Sequence, residues 1–453
     1  MKKAEIGPND LFTRGVADFI DPEGKFKEKI QKKIEGQYSK DIVIKFGVDP
    51  TRPDIHLGHT VILRKLRKFQ DLGCKVIFLI GDITALIGDP TGKSKVRPEL
   101  EFAEIQKNMK TYLEQVDKIL LKDSKVFDWT MNSDWFLSIN DIVAPENKYK
   151  DETGLLPGNH VKAKALHWVE TRRQKGKISN YTIITLLSIL RKITFNRLIE
   201  RDMFQDRIKN SEPVFMHEMM YPVIQGIDSD ALANIYGSCD LEVGGSDQTF
   251  NMLVGRDVMA MNKKEPQAVM SFKILEGLDG KIKMSKSLDN YITINENPNE
   301  MFGKIMSIPD TSIINYFDLC TYETIDEIEK MKKSLSGGKI NPKDFKIRLG
   351  KEIVAIYHGE KSAKEAEDNF IKVFQKKEIP DEMEEIRAEK GDQISDLLIK
   401  NNILKSKSEF SRLVGEKAVH NLDTKEVIEN IHFKINNNLT LKIGKKKFLR
   451  IVI

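Results

Sequence analysis

Ile42-Val43-Ile44-Lys45-Phe46-Gly47-Val48-Asp49-Pro50-Thr51-Arg52-Pro53-Asp54-Ile55-His56-Leu57-Gly58-His59-Thr60 runs from an apolar, β-branched stretch into two histidines around a glycine. Ile42 to Val48 predicts a buried strand. Pro50 and Pro53 end that strand and force an open loop. From about His59, the apolar residues Val61, Ile62, Leu66 and Phe69 recur at helical spacing, and Gly73 after Leu72 supplies a C-terminal cap. Lys75 to Ile80, rich in Val, Ile and Phe, is a second strand. The result is a strand–helix–strand unit with a His-x-Gly-His turn at the start of the helix, which points to an α/β fold.

That turn has a chemical use. A helix N-terminus presents unpaired N–H groups and a partial positive charge, which suits phosphate. Gly58 lets a flat ring or a ribose approach the backbone, and Thr51, His56 and His59 can donate hydrogen bonds to phosphate oxygens. The plainer alternative is two histidines that only cap the helix. Eight histidines occur in the chain, and two of them fall within four positions here.

The length of 453 residues suggests two to four domains. A hydrophobic content of 40% with 31% charged residues describes a globular protein with a sizeable core. No run approaches the ~18 apolar residues of a membrane span. Met1-Lys2-Lys3-Ala4-Glu5 lacks the apolar core of a secretory signal. Cys74, Cys239 and Cys320 are odd in number and far apart, so neither a disulfide framework nor a metal site is expected, and a cytoplasmic location fits. The net charge of +5 is unevenly placed: from Asp392 onward there are twelve Lys and Arg against seven Asp and Glu, so the rest of the chain is balanced. The excess marks this end for an anionic partner.

Residues 1–40 are polar and read as a helical segment. Gly88-Asp89-Pro90-Thr91-Gly92-Lys93-Ser94 looks like a Walker phosphate loop but has three residues between its glycines where that motif needs four. Asp89 would also point a negative charge into the phosphate cradle, so the reading is rejected. Residues 104–121 read as an amphipathic helix. Residues 141–180 lose periodicity and read as an irregular insertion or a mobile surface segment. Asp240-Leu241-Glu242-Val243-Gly244-Gly245-Ser246-Asp247-Gln248 is a short strand running into a glycine pair, the place where open α/β sheets bind ligands. Tyr221, Gln225 and Asp228 precede it; a solvated helix face is the alternative reading of the last two. Near residue 280, Gly277 and Gly280 predict a mobile loop whose Lys283 and Lys286 could close over a polyphosphate. Residues 376–391 are acidic and read as a linker. Beyond them Ile394, Leu397, Leu398, Ile403 and Leu404 form a helical pattern, and Ser406-Lys407-Ser408-Glu409 starts another helix with a capping box.

Four motifs now stand in one order. His56-Leu57-Gly58-His59 resembles the HIGH signature of class I aminoacyl-tRNA synthetases, and Lys283-Met284-Ser285-Lys286-Ser287 matches their KMSKS signature letter for letter. Asp49-Pro50-Thr51 ahead of the first, with Gly244-Gly245-Ser246-Asp247-Gln248 between them, narrows the resemblance to the bacterial-type tyrosyl-tRNA synthetases. It covers nearly the whole chain. It implies a Rossmann-like catalytic domain at 41–300, a helical anticodon-binding-type domain at 301–375 and a small α+β S4-like RNA-binding domain at 392–453. It also implies a homodimer whose partners are tyrosine, ATP with Mg2+ and tRNA(Tyr), with no tightly bound cofactor and no membrane.

In the family, tyrosine's carboxylate attacks the α-phosphate of ATP, and the acyl group then passes to the terminal adenosine of tRNA. Catalysis is positioning plus charge stabilisation. The resemblance assigns Thr51, His56, Lys283 and Lys286 to the β and γ phosphates. It sets Asp49, Gly58, His59, Met284 and Ser285 against the nucleotide and Asp247 on its ribose. Asp89, Tyr221, Gln225 and Gln248 hold the tyrosine ammonium, Gly47 and Lys45 line the pocket, and Asp228 accepts from the phenol. A buried phenol acceptor rejects phenylalanine; this pair of amino acids is the usual illustration of that rule, not a result obtained on this chain. Lys405, Lys407, Arg412, Lys445, Lys446 and Lys447 would meet RNA phosphates.

There are departures. Many members carry a tyrosine where Lys45 stands, which leaves Asp228 a heavier share of specificity, and Thr249 replaces a common tryptophan. The 141–180 insertion has no counterpart in the family pattern. The rival readings are a tryptophanyl-type synthetase, a non-catalytic RNA-binding paralogue, and an enzyme that adenylates another small acid. Asp228 with the Gly-Gly-Ser-Asp-Gln stretch opposes the first, the intact histidines and lysines the second, and the basic end the third.

Overall fold

The computed structural model describes residues 8–91, 102–136, 181, 183–285, 288–337, 340–372, 383–401, 403–424, 426–444 and 447–453. The irregular insertion predicted at 141–180 lies wholly outside them, as do Gly92-Lys93-Ser94, Lys286, Ser287, Lys445 and Lys446. The chain divides into two units, Met1–Gly359 and Glu360–Ile453.

The first unit is built on six strands: β1 (Val16–Ile20), β2 (Val43–Val48), β3 (Lys75–Ile80), β4 (Phe127–Met131), β5 (Leu241–Gly245) and β6 (Ala268–Phe272). Their order in the sheet is β1-β6-β5-β2-β3-β4. All neighbours are parallel except β1, which runs antiparallel to β6. The chain steps from β2 outward to β3 and β4, then returns to lay β5 on the other side of β2. The order therefore reverses between β2 and β5, which is where a parallel sheet opens a crevice for ligands.

The described helices of this unit are α1 (Pro8–Thr13), α2 (Lys25–Ile34), α3 (Leu57–Asp71), α4 (Asp82–Ile87), α5 (Phe102–Val116), α6 (Ser133–Phe136), α7 (Ile183–Leu190), α8 (Phe195–Ile199), α9 (Asp202–Lys209), α10 (Met216–Tyr236) and α11 (Thr249–Met261), followed by α12 (Pro298–Ser307), α13 (Ile313–Cys320) and α14 (Ile325–Ser336), and α15 (Pro342–Phe370) is broken by a non-helical Gly359 at the unit boundary. The expected strand–helix–strand unit is β2-α3-β3, and Gly73 has the left-handed φ of +79° that ends α3. One core joins Val43, Ile77 and Leu79 of the sheet to Val223, Ile227 and Leu232 of α10 and Val254 and Val258 of α11. Each such side chain contributes about 1.5–3 kcal/mol by leaving water. Cys74, Cys239 and Cys320 are buried free thiols.

Two expectations change. The segment 1–40 is not simply helical, because Val16–Ile20 adds an edge strand to the sheet. Its partner lies some 250 residues away, so local pattern carries no sign of it. The stretch 376–391 is not wholly a linker: residues 384–387 form β7 (Glu384–Arg387), paired in parallel with β11 (Lys447–Val452). Ile386 alone is buried there, between exposed acids and an arginine, and that polarity hid the strand.

The second unit folds a sheet of order β7-β11-β10-β8-β9, with β8 (Val419–Asn421), β9 (Glu426–Val427) and β10 (Leu439–Ile443). Helices α16 (Ile394–Lys400) and α17 (Lys407–Gly415) cover it through Leu397, Leu398, Phe410 and Val414. Ser406 caps α17 as predicted, accepting from the Glu409 N–H at 3.2 Å while Glu409 accepts from the Lys405 N–H at 2.8 Å.

Candidate active site

The proline-broken loop after β2 is held from one face of α5. Asn108 donates to the Pro50 carbonyl at 3.0 Å, Gln115 donates to that of Pro53 at 2.7 Å, and Gln115 Oε1 accepts from the Ile55 N–H at 2.7 Å. The loop delivers His56 to the N-cap of α3, with φ −111° and ψ 168°. His56 Nδ1 accepts from the Gly58 N–H at 3.2 Å, and His59 Nδ1 accepts from the His56 N–H at 3.3 Å. The rings lie 3.9 Å apart between centroids. Capping and phosphate binding are therefore not rivals: an Nδ1 that accepts carries no proton, so the neutral ring keeps it on Nε2 as a donor. A Cβ on Gly58 would press on the His56 ring at 3.0 Å and approach Met284 Cβ at 3.9 Å.

That second contact brings together motifs some 225 residues apart. The Leu57 N–H donates to the Ile292 carbonyl at 3.0 Å, and the Ile294 N–H donates to that of Ile55 at 3.1 Å. Described residues of the loop before this junction make backbone bonds to the rest of the unit. Met284 is buried and its N–H donates to the Leu275 carbonyl at 2.8 Å, while Asn290 Oδ1 accepts from the Ser285 N–H at 2.8 Å. Gly277 is a glycine because Asn290 Nδ2 would sit 2.2 Å from a Cβ, and Gly280 because its φ is +64°. Close packing at Gly277 and a left-handed φ at Gly280 thus give these glycines a local structural reason. Lys283 is half-exposed and its Nζ pairs with Asp247 at 2.5 Å, an exposed pair that opens at little cost.

Asp49 at the end of β2 is a hub. Its Oδ1 accepts from Thr84 Oγ1 at 2.7 Å and its Oδ2 from the Tyr221 hydroxyl at 2.8 Å. The Thr51 N–H donates to the Asp49 carbonyl at 2.8 Å. Tyr221, Gln225 and Asp228 sit at helical spacing on α10. They are not a solvated face: Tyr221 and Asp228 are buried and Gln225 is half-buried. Asp228 Oδ1 accepts from Trp135 Nε1 at 3.0 Å. Burial pushes its carboxyl up to about 8, against the pull of Lys45 and of the indole bond. Asp89 Oδ1 accepts from the Thr91 N–H at 3.0 Å, and its Oδ2 accepts from Gln248 Nε2 at 2.6 Å. Asn251 Nδ2 completes that amide by donating to Gln248 Oε1 at 2.9 Å. The acid that spoils a Walker loop is instead a fixed acceptor beside β5.

Residues 37–375 match the family described as tRNA synthetases class I (W and Y). The chain belongs to this family. It is 40% identical to the tyrosine–tRNA ligase of Carboxydothermus hydrogenoformans, over 98% of this chain and 97% of that protein. It is also 40% identical to the tyrosine–tRNA ligase of Thermotoga maritima, over 97% and 96%. The fold of 80% of the chain matches 92% of a C-terminally truncated mitochondrial tyrosyl-tRNA synthetase from Aspergillus nidulans, with a TM-score of 0.55 at 20% identity.

In this class I synthetase one residue expected at the pocket has partners of its own. Lys45 is fully buried, and its ammonium meets three acceptors: the Gln225 carbonyl at 2.8 Å, Ser229 Oγ at 2.9 Å and Glu242 Oε1 at 2.9 Å. All three N–H bonds are used inside the protein, so the Lys45 ammonium is held by the fold in this arrangement. Sequence reasoning missed Glu242, its register partner across β2 and β5. The signal was present: each apolar strand is broken by one charge, and the two charges are opposite. Gly81, Thr84, Trp135 and Arg201 were missed as well. Arg201 donates to Thr91 Oγ1 and lies over the Phe250 ring at 5.4 Å. These residues carry no motif; only the fold brings them to the site.

Of the basic residues assigned to the end of this synthetase, Lys407 pairs with Asp396 at 2.6 Å and Arg412 with Glu416 at 2.9 Å, both exposed. Lys447 Nζ donates to the Ile403 carbonyl at 2.5 Å, while Lys405 is exposed. Among the described residues no cluster of three or more His, Cys, Asp and Glu could hold a metal, and no helix is long and apolar enough to cross a membrane.

Proposed function

We infer that this chain is a tyrosine–tRNA ligase, which forms tyrosyl-adenylate and pyrophosphate from tyrosine and ATP and then charges tRNA(Tyr). The observation that carries the reading is the α10 face. Tyr221 and Gln225 lie near the switch point, and Asp228 sits seven residues along in a buried, indole-bonded position suited to a phenol at the far end of the pocket. A buried carboxyl group left there without its phenol partner would be costly, which selects tyrosine over phenylalanine. The tyrosine–tRNA ligases at 40% identity support the same substrate.

Tyrosine lies with its ammonium toward Asp89, Tyr221, Gln225 and Gln248, beside the bare Gly47. Its carboxylate oxygen attacks the α-phosphorus, a P–O bond forms, and the bond to the bridging oxygen of pyrophosphate breaks. Charge that grows on the leaving phosphates meets Thr51, the Nε2–H ends of His56 and His59, and the ammonium groups of Lys283 and Lys286. ATP arrives as its magnesium complex. Asp49 and Gly58 shape the nucleotide's path with Met284 and Ser285, and Asp247 turns from Lys283 to the ribose. The tRNA terminal hydroxyl then attacks the acyl carbon and AMP leaves.

The second unit acts as an S4-like module that grips tRNA phosphates. The exposed apolar side chains of Ile184, Leu187, Phe195 and Met216 support a homodimer, checked by sedimentation. The reaction belongs in the cytoplasm. The test of the whole reading is ATP–pyrophosphate exchange with a panel of amino acids. Exchange with tyrosine alone is expected, and exchange with tryptophan or with none would refute it.

A further inference from the structure

The Glu242 carboxylate is buried below the substrate face of α10 and accepts four hydrogen bonds. Oε1 takes one from Lys45 Nζ at 2.9 Å and one from Gln225 Nε2 at 3.0 Å; Oε2 takes one from Ser229 Oγ at 3.1 Å and one from Gln267 Nε2. Gly255 makes room for this cluster, since a Cβ there would lie 2.7 Å from Gln267 Nε2 and 3.1 Å from Glu242 Oε2. Nothing in the reaction described above uses Glu242.

We propose that Glu242 is a positioning residue that sets which end of the Gln225 amide faces the substrate, with Lys45 as its buried counter-charge. The inference rests on the reading that Gln225 receives the tyrosine ammonium. A side-chain amide has a donating end and an accepting end of nearly equal size. A carboxylate beside an ammonium only accepts, so the NH2 end of Gln225 must turn to Glu242. The carbonyl Oε1 is then the end left for substrate. An ammonium ion carries only donors and needs that carbonyl; a flipped amide would set N–H against N–H. The Lys45–Glu242 pair therefore works one layer below the pocket, through the polarity of an amide rather than by touching tyrosine.

Glu242→Gln keeps the size of the side chain but leaves one carbonyl oxygen for four donors, so that oxygen serves either Lys45 and Gln225 or Ser229 and Gln267; in the second placement the new NH2 end faces Gln225 and donates to its Oε1. The expected result is a tyrosine KM in pyrophosphate exchange raised about tenfold or more, with the ATP KM within about twofold of wild type. Inhibition by 3-(4-hydroxyphenyl)propionate, which is tyrosine without its amino group, should be unchanged. A loss of packing alone would weaken both ligands together. The exchange E242Q with Gln225→Glu moves the charge one position nearer the substrate while keeping a donor–acceptor pair between the two residues. It should recover tyrosine affinity to within about threefold of wild type. Should E242Q alone fail to fold, the exchanged pair decides: affinity restored supports the proposal and affinity lost overturns it. An unchanged tyrosine KM in folded E242Q, or equal weakening of tyrosine and the amino-free analogue, also overturns it. Absence of tyrosine-dependent exchange in the wild-type chain would instead remove the functional reading beneath it.

Discussion

Replacing Gly81 by alanine tests how the site is assembled, because no catalytic group is altered. Gly81 closes β3, where the Asp49 carboxylate from β2 and the Thr84 hydroxyl from α4 meet. An alanine Cβ would stand 2.1 Å from Thr84 Oγ1 and 2.2 Å from Asp49 Oδ1. Ordinary carbon–oxygen contact needs roughly 1 Å more, so the 2.7 Å bond between them must break. The Tyr221 hydroxyl, 2.8 Å from the other Asp49 oxygen, moves with it. Two hydrogen bonds to a carboxylate, each about 1.5 kcal/mol, give a loss of about 3 kcal/mol. In a unit of this size that lowers the thermal midpoint by about 4 °C. The displaced Tyr221 raises the tyrosine KM in pyrophosphate exchange severalfold. Thr84→Ala removes the nearer obstacle, so the double variant should lose less than the two single losses added together. A G81A protein with wild-type midpoint and wild-type tyrosine KM would refute the argument.

Three more outcomes are expected. Lys283→Ala should lower kcat of adenylate formation more than it changes the tyrosine KM, since its ammonium acts on developing phosphate charge; a pure tyrosine-affinity defect would contradict this. Asp228→Asn should lose tyrosine activation far more than ATP binding. Because burial raises the Asp228 carboxyl to about 8 from an unfolded value near 3.8, the native state holds the extra proton between those limits and wild-type stability drains away as pH rises through them. The stability of D228N relative to wild type should therefore climb from about pH 4 to pH 8, and a pH-independent difference would count against a buried acid there. A chain ended at Phe370 should keep tyrosine-dependent exchange but charge tRNA poorly at low tRNA concentration, with a shallower salt dependence of tRNA binding than the full chain; equal salt slopes would remove RNA binding from the second unit.

The parts legible in the sequence were those in which one short segment carries its own physics. The Ile42–Val48 run, the prolines after it and the glycine after Leu72 each act locally, and β2, α3 and β3 followed from them. The histidine turn and the lysine loop were legible as motifs, and the resemblance set both at one phosphate site, but the approach of Gly58 to Met284 was not legible. β1 and β7 escaped because each is held by a strand far along the chain, and their own residues are too mixed to show a buried face. The buried pairing of Lys45 escaped for a related reason. A lone lysine in an apolar run shows no partner until the strand beside it supplies Glu242.

The reversal of strand order also has a consequence for synthesis. β2, β3 and β4 follow one another closely and can pair as they emerge, but the other edge of β2 waits for β5. About 190 residues separate the end of β2 from the start of β5. At ribosomal rates of about 5–20 residues per second, that edge of an apolar strand stays uncovered for roughly ten to forty seconds. The nascent chain therefore passes through a half-sheet whose open side is the very line along which the tyrosine crevice will form. Chaperone demand should fall sharply once residues 241–272 have left the exit tunnel.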